Sequence, residues 1–313
     1  MFATLLGGLP RPPSTAADAD DEAVRAALVA QERAGLELLA DGGLRTGPAT
    51  VVDWQFAAGA TRRPVKQTLT GPYTAARAGS TDRDERTTLT VAAAEALNSE
   101  IQALRDAGCA FVEIDEPAAV AIGSDANERA LFVDAHRRLT DGVGEIHLSL
   151  AVTGGNADTA GAATFFDLPY ASYAFDLIAG PDNWRLITSA PRDRGIVCGA
   201  MSPAAGGDER PETLVWAAHY AASTRGLERV GLANAPGLEA LPWDVAIVKL
   251  ARVAEAARIA ALPSPDALAE ALDPRAVSSR SAALGRVTPS PRRASGPGRA
   301  TRGPRRAKDD DSA

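Results

Sequence analysis

An α/β fold, a single parallel (β/α)₈ barrel over residues 1–262 with a disordered tail over 263–313, is what the 313-residue chain predicts. Three observations point there. Short apolar runs alternate with helical patterns, which places helices on the outside of a parallel sheet. No Gly-rich dinucleotide fingerprint follows any strand. The body has the length of one barrel rather than of two separate domains. Apolar residues at 45% and charged residues at 23% fit a packed globular body, while aromatics at 5% leave the core to Ala, Leu and Val.

The elements follow in order. Ala3–Leu6 reads as the opening strand. Asp20 or Asp21 caps a helix in which Val24, Ala27, Leu28, Leu38 and Leu39 recur near helical spacing, with Gly42-Gly43 as its end. Val65–Thr70 is a strand stopped by Gly71-Pro72, and an Ala/Glu/Leu-rich helix from about Asp84 to Ala107 closes at Gly108. Ala110–Asp115 is a strand broken by Pro117, Asp125–Leu139 a helix, and Glu145–Val152, Tyr170–Leu177 and Arg194–Met201 are strands. A helix over Glu209–Thr224, a strand over Arg229–Leu232 and a helix over Trp243–Ala261 complete the body. The apolar stretch Val245–Leu262 carries Lys249, Arg252, Glu255 and Arg258, so it is amphipathic and not a membrane span. Met1–Leu9 is apolar but short, has no basic leader and runs into Pro10-Arg11-Pro12-Pro13; no membrane partner is expected.

Charge is unevenly distributed. The net −7 combines a +4 tail, with ten basic and six acidic residues after Leu262, and a −11 body. So acidic a body excludes nucleic acid as a partner of the barrel. Between Arg275 and Lys308 there is no acidic residue, and Pro, Ser, Gly and Ala supply most of the rest. Such a segment buries too little apolar surface to offset its ordering entropy; it is either a solubilising appendage or a weak polyanion contact. Two cysteines, Cys109 and Cys198, cannot build a disulfide framework or a four-thiolate zinc site, which fits a reducing, cytoplasmic setting.

In a parallel barrel the chemistry gathers at the C-terminal ends of the strands. There the chain carries Gly7-Gly8, Thr70-Gly71-Pro72, Asp115-Glu116-Pro117, His147-Leu148-Ser149, Asp176, Met201-Ser202-Pro203 and Asn234-Ala235-Pro236. Three carboxylates, Glu113, Asp115 and Glu116, sit within four residues at one strand end, where cations, hydrogen bonds or a ligand amine must compensate them. Asp115 either meets a substrate ammonium or is a structural carboxylate holding an Arg or backbone amides. His147 in an apolar strand is either a satisfied core group or a metal ligand, and Ser149 shares its face. Cys198 is either a nucleophile or a buried inert thiol. A serine elbow, a Walker loop and a His-Glu-x-x-His helix are all absent from the sequence.

Taken together, several segments resemble the C-terminal catalytic barrel of cobalamin-independent methionine synthase, within the wider superfamily that includes uroporphyrinogen decarboxylase. They are Leu6-Gly7-Gly8-Leu9-Pro10-Arg11-Pro12, Gln31-x-x-x-Gly35-Leu36 leading to Asp41-Gly42, and Pro64-Val65-Lys66-Gln67-Thr68-Leu69-Thr70-Gly71-Pro72-Tyr73-Thr74. Ile114-Asp115-Glu116-Pro117-Ala118, Ile146-His147 and Asn234-Ala235-Pro236-Gly237-Leu238 follow downstream. The likeness spans roughly residues 3–260. It implies methyl transfer from a folate-type donor to a thiol such as homocysteine, without cobalamin and with a zinc ion held by one His, two Cys and one Glu. By position, His147 stands at the histidine ligand, Ser149 at a cysteine and Asp176 at the glutamate, and the second cysteine has no counterpart near Gly237. Asp115 stands at the residue that meets the substrate ammonium, and Gly7 and Gly8 form the substrate-binding opening loop. Further departures are Gly43 where the family has a substrate-contacting Glu, Met201 in place of a proton-shuttling His, and Ala75-Ala76-Arg77-Ala78 where a folate-stacking aromatic is expected. The resemblance thus implies a small-molecule methyltransferase with a degenerate metal site. A zinc-independent barrel enzyme acting on another carboxylate-bearing substrate, or a non-catalytic metabolite-binding paralogue, are the alternatives.

Overall fold

Seven parallel strands carry the structure, a computed structural model that describes residues 1–47, 49–206 and 210–278. They are β1 (Phe2–Thr4), β2 (Gln67–Thr70), β3 (Phe111–Asp115), β4 (His147–Val152), β5 (Ser172–Asp176), β6 (Gly195–Met201) and β7 (Val230–Asn234). Their order, β1-β7-β6-β5-β4-β3-β2, sets the first strand beside the last and curls the sheet. Of the expected (β/α)₈ barrel, the described residues show the parallel α/β architecture as a curled sheet of seven strands. Leu38 makes an isolated parallel bridge to Thr4, and Leu39 one to Val65, so among the described residues this dipeptide supplies the backbone bridges between the two edges. The Leu39 amide donates to Pro64 O at 2.9 Å, and the Lys66 amide donates to Leu39 O at 2.9 Å.

This seam also overturns the expected long first helix. Helix α1 (Asp20–Ala34) stops where Gly35 takes a left-handed conformation, φ 97°, and its N–H caps the carbonyls of Gln31 and Glu32. The chain then runs extended through Leu38-Leu39. Gly42 and Gly43, with φ of 82° and 64°, turn it away before a ladder can grow. Helices also form where none was expected. Helix α2 (Val51–Gly59) starts on a capping box between Thr50 and Asp53, and α3 (Pro72–Gly79) begins where Gly71-Pro72 was read only as a strand stop. Helix α4 (Arg83–Asp106), capped by Asp82, and α5 (Ala126–Thr140), capped by Asp125, fall close to their expected positions. Short helices α6 (Ala162–Phe166) and α7 (Trp184–Ser189) follow, then α8 (Pro211–Ala222) and α9 (Trp243–Ala260).

The main core lies between the outer face of the sheet and the helices, with Ile114, Leu150, Phe175 and Leu232 fully buried. Inside the curl a separate small cluster of Leu6, Ala151, Ala174, Val197 and Ala233 packs with little bulk. Part of the segment expected to lack structure is a helix, α10 (Pro265–Ala271), capped by the Ser264 hydroxyl. Leu268, Ala271 and Leu272 pack against the core. The basic stretch from 279 onward lies outside the described residues. Among the described residues no helix is long and apolar enough to cross a membrane.

Candidate active site at the C-terminal strand ends

A cavity of about 600 Å³ opens where the strands end, bounded by the Gly7-Gly8 loop, the Asp41–Gly43 turn, the ends of β2 and β3, and Glu239. The loop after β1 is clamped by Asn234 at the end of β7. Its side chain accepts from the Leu6 amide at 3.2 Å and donates to Leu6 O at 2.7 Å. Leu9 closes the other side, its amide donating to Gly42 O at 2.8 Å. Gly7 is required twice: its φ is 73°, and a Cβ there would lie 3.2 Å from the Pro236 ring.

The three clustered carboxylates have separate fates. Glu113 is buried inside the curl, its Oε2 2.6 Å from the Lys66 ammonium, which also donates to Leu5 O at 2.6 Å. Glu116 is fully buried and caps α3. Its oxygens accept from the Tyr73 and Thr74 amides at 3.0 and 2.8 Å and from the Thr74 hydroxyl at 2.5 Å. His136 Nε2 lies 3.1 Å from the same carboxylate, and His136 Nδ1 lies 2.6 Å from the Tyr170 hydroxyl. A Cβ at Gly71 would sit 2.2 Å from the Glu116 carboxyl, so that glycine exists to admit the carboxylate. Asp115 alone faces the cavity. Its hydrogen bond is from the Thr153 hydroxyl at 3.2 Å, and it forms no ion pair among the described residues. Burial, followed by the nearby Glu113 charge, pushes its pKa up to about 7.

The expected metal ligands do not converge. His147 begins β4, and its Nε2 lies 2.8 Å from the Ser172 hydroxyl; Asp176 lies at the far end of the same strand as Ser172. Four residues of strand separate Ser172 from Asp176, roughly 13 Å at about 3.3 Å per residue. Asp176 is buried and already accepts the amides of Ile178 and Ala179 at 2.9 Å and of Gly154 at 3.2 Å, tying the β4 and β5 loops together. The Ser149 hydroxyl sits deep in the curl with no partner. Burial holds the His147 imidazole below its ordinary pKa. Among the described residues no three His, Cys, Asp or Glu side chains group as metal ligands, so this donor set does not fit a zinc ion. Of the two readings left open for Cys198, the geometry favours the inert thiol: it is fully buried and its pKa is pushed up to about 12.

Sequence reasoning missed Glu239, Arg45 and Asp53, which also line the cavity. Glu239 follows directly on the Gly237-Leu238 segment and approaches Gly8, where an added Cβ would meet its Oε2 at 3.9 Å. The Arg45 guanidinium is already matched by Asp21 at 2.6 Å and Asp53 at 3.2 Å. The lining thus holds four carboxylates, Asp41, Asp53, Asp115 and Glu239, against one guanidinium. The lining is therefore net acidic.

Fold and site together define a parallel α/β domain with an acidic small-molecule cavity at its C-terminal strand ends. Residues 14–158 match the family described as the cobalamin-independent synthase catalytic domain. A 5-methyltetrahydropteroyltriglutamate–homocysteine methyltransferase of Halalkalibacterium halodurans is 46% identical over 76 residues, a match covering 23% of this chain but only 10% of the relative. A B12-independent methionine synthase from Shewanella, solved in complex with selenomethionine, shares the fold with a TM-score of 0.71 at 17% identity, over 82% of this chain and 96% of that one. A methyltransferase from Methanosarcina mazei does so with a TM-score of 0.57 at 14% identity, over 83% and 93%.

Proposed function

We propose that the chain is a methionine-synthase-type methyltransferase domain whose substrate is a small amino-acid thiol such as homocysteine, bound by its ammonium group at Asp115 and methylated from a folate-type donor. The carrying observation is that Asp115 is the one member of its carboxylate cluster left without a cation or amide partner, at the wall of an acidic cavity. The match of residues 14–158 to the synthase catalytic domain and the amino acid bound by the Shewanella protein support this class of ligand. Gly7 and Gly8 line the same cavity, and their amides have no acceptor among the described residues, which suits a substrate carboxylate. Glu239 supplies a carboxylate near Gly8 and Gly43, where the family's own glutamate is missing. In this reading the Leu38-Leu39 seam is a shortened second strand of an eight-position barrel.

A second reading is favoured by the dispersed His147, Ser149 and Asp176: the chain binds the amino acid without transferring a methyl group. Calorimetry with homocysteine, with the same thiol lacking its amine, and with Asp115→Asn tests the shared basis. Binding that needs both the amine and Asp115 supports the site, and equal binding of the amine-free thiol removes it. Methionine formation from homocysteine and a methylated folate then decides between the two readings.

A further inference from the structure

A second cavity, of about 320 Å³, opens at the opposite end of the curl, among the N-terminal ends of the strands. Its cause is legible in the strand register. Glu113 pairs across to Ser149, Ser149 to Ser172, and Ser172 to Gly195, so one row around the interior carries Ser, Ser and Gly. Barrel interiors fill such rows with Val, Ile and Leu. The next row inward, Ala151 and Ala174, is small as well. At the next strand Gly231 leaves room that the Phe2 ring takes, lying 2.6 Å from where a Cβ would be. Over Ser172 the His147 ring reaches in to the hydroxyl, and Ser149 has no hydrogen-bonded neighbour of that kind among the described residues.

The polar groups in this space are unevenly satisfied. Ser172 is engaged by His147, and Thr4 donates to Leu38 O at 2.9 Å. The Lys66–Glu113 pair at 2.6 Å is mutually compensated, so neither an anion nor a cation is favoured there. The Ser149 hydroxyl, on a residue only 8% exposed, has no partner among the described residues. Leaving such a group unpaired in an apolar space is costly, and a ligand hydroxyl relieves it. Phe2, Phe111, Ile196 and Val197 supply apolar wall, and the charged residues left in the lining, Asp193, Glu228 and Arg229, are exposed and of mixed sign.

From the unfilled interior row and the orphaned Ser149 hydroxyl, we infer that this basal cavity is a binding site for a small uncharged molecule with an apolar body and a hydroxyl head, seated with that hydroxyl on Ser149. It lies on the far side of the Lys66–Glu113 pair from Asp115 and does not depend on the reading of the other site. The test is a titration of the full chain with 1-butanol, 1-pentanol and 1-hexanol, followed by saturation-transfer NMR. Saturable binding is expected, weakened about ten-fold by Ser149→Ala, the loss of one hydrogen bond to a buried group. Ser149→Val fills the row and should abolish binding while keeping the melting temperature. A crystal soaked in 1-pentanol, which does not rely on that variant folding, should place the alcohol oxygen within hydrogen-bond distance of Ser149 Oγ. The proposal is overturned if no alcohol binds saturably, if Ser149→Ala binds as tightly as the parent, if a folded Ser149→Val still binds, or if the soaked crystal shows only water beside Ser149.

Discussion

Asp115 titrates in a range where the medium decides its state. Its pKa of about 7 in the folded chain is raised from the ordinary 3.8, so the folded state holds a proton that the unfolded state has released. Stability should therefore fall as pH rises from about 4 through 7, and level off above. Asp115→Asn should be flat over that window and more stable than the parent at pH 8 by on the order of 2 kcal/mol, read by urea unfolding at each pH. The same titration governs ligand binding, because an ammonium group selects the ionised carboxylate. Homocysteine affinity should rise about ten-fold per pH unit between pH 5 and 7 in the parent and show no such slope in Asp115→Asn. The carboxylate cluster was visible in Glu113-Ile114-Asp115-Glu116, but not the assignment of its members. Glu113 and Glu116 are answered by Lys66 and by the α3 N-terminus, which stand 47 and 43 residues away in the chain. Only tertiary contacts separate the free carboxylate from the two structural ones.

Helix α3 shows how two motifs that look catalytic divide into structure and function. Gly71-Pro72-Tyr73-Thr74 and Glu116-Pro117-Ala118 hold each other: Glu116 caps the helix, and the Thr74 hydroxyl accepts from the Ala118 amide at 3.1 Å. Glu116→Ala uncaps α3 and strips His136 Nε2 of its partner, and should cost about 3 kcal/mol in urea unfolding, with Glu116→Gln costing less because an acceptor remains. Gly71→Ala should cost a similar amount, about 3 kcal/mol, since the carboxylate cannot move without breaking the cap. At this scale the strands and the long helices were readable from periodicity and caps, as Asp125 before α5 shows. Leu38 and Leu39 were misread because they continue the spacing of α1, and only Gly35 marks the break. Helix α2 carried its capping box in Thr50 and Asp53, but between Gly47 and Gly59 it is too short for a period to show.

For the molecule as a whole, the division at Leu262 that composition suggests is not where packing ends. Helix α10 rests on α9 through Leu268, with Ala271 and Leu272 beside it. Truncation after Leu262 should lower unfolding stability by about 1 kcal/mol, the worth of a few half-buried apolar side chains. The dipeptide that joins β1 to β2 has a further consequence. Every other neighbouring pair in the sheet is held by a ladder of three or more registered residues, whereas this joint has one bridge on each side. A ring yields at its narrowest joint, and local opening there breaks the fewest bonds. The amides of Leu39 and Lys66 should accordingly exchange with solvent deuterium well ahead of those in β4 and β5. Because the same dipeptide leads straight into Ala40 and Asp41 of the acidic cavity, opening of this joint would loosen one wall of that cavity.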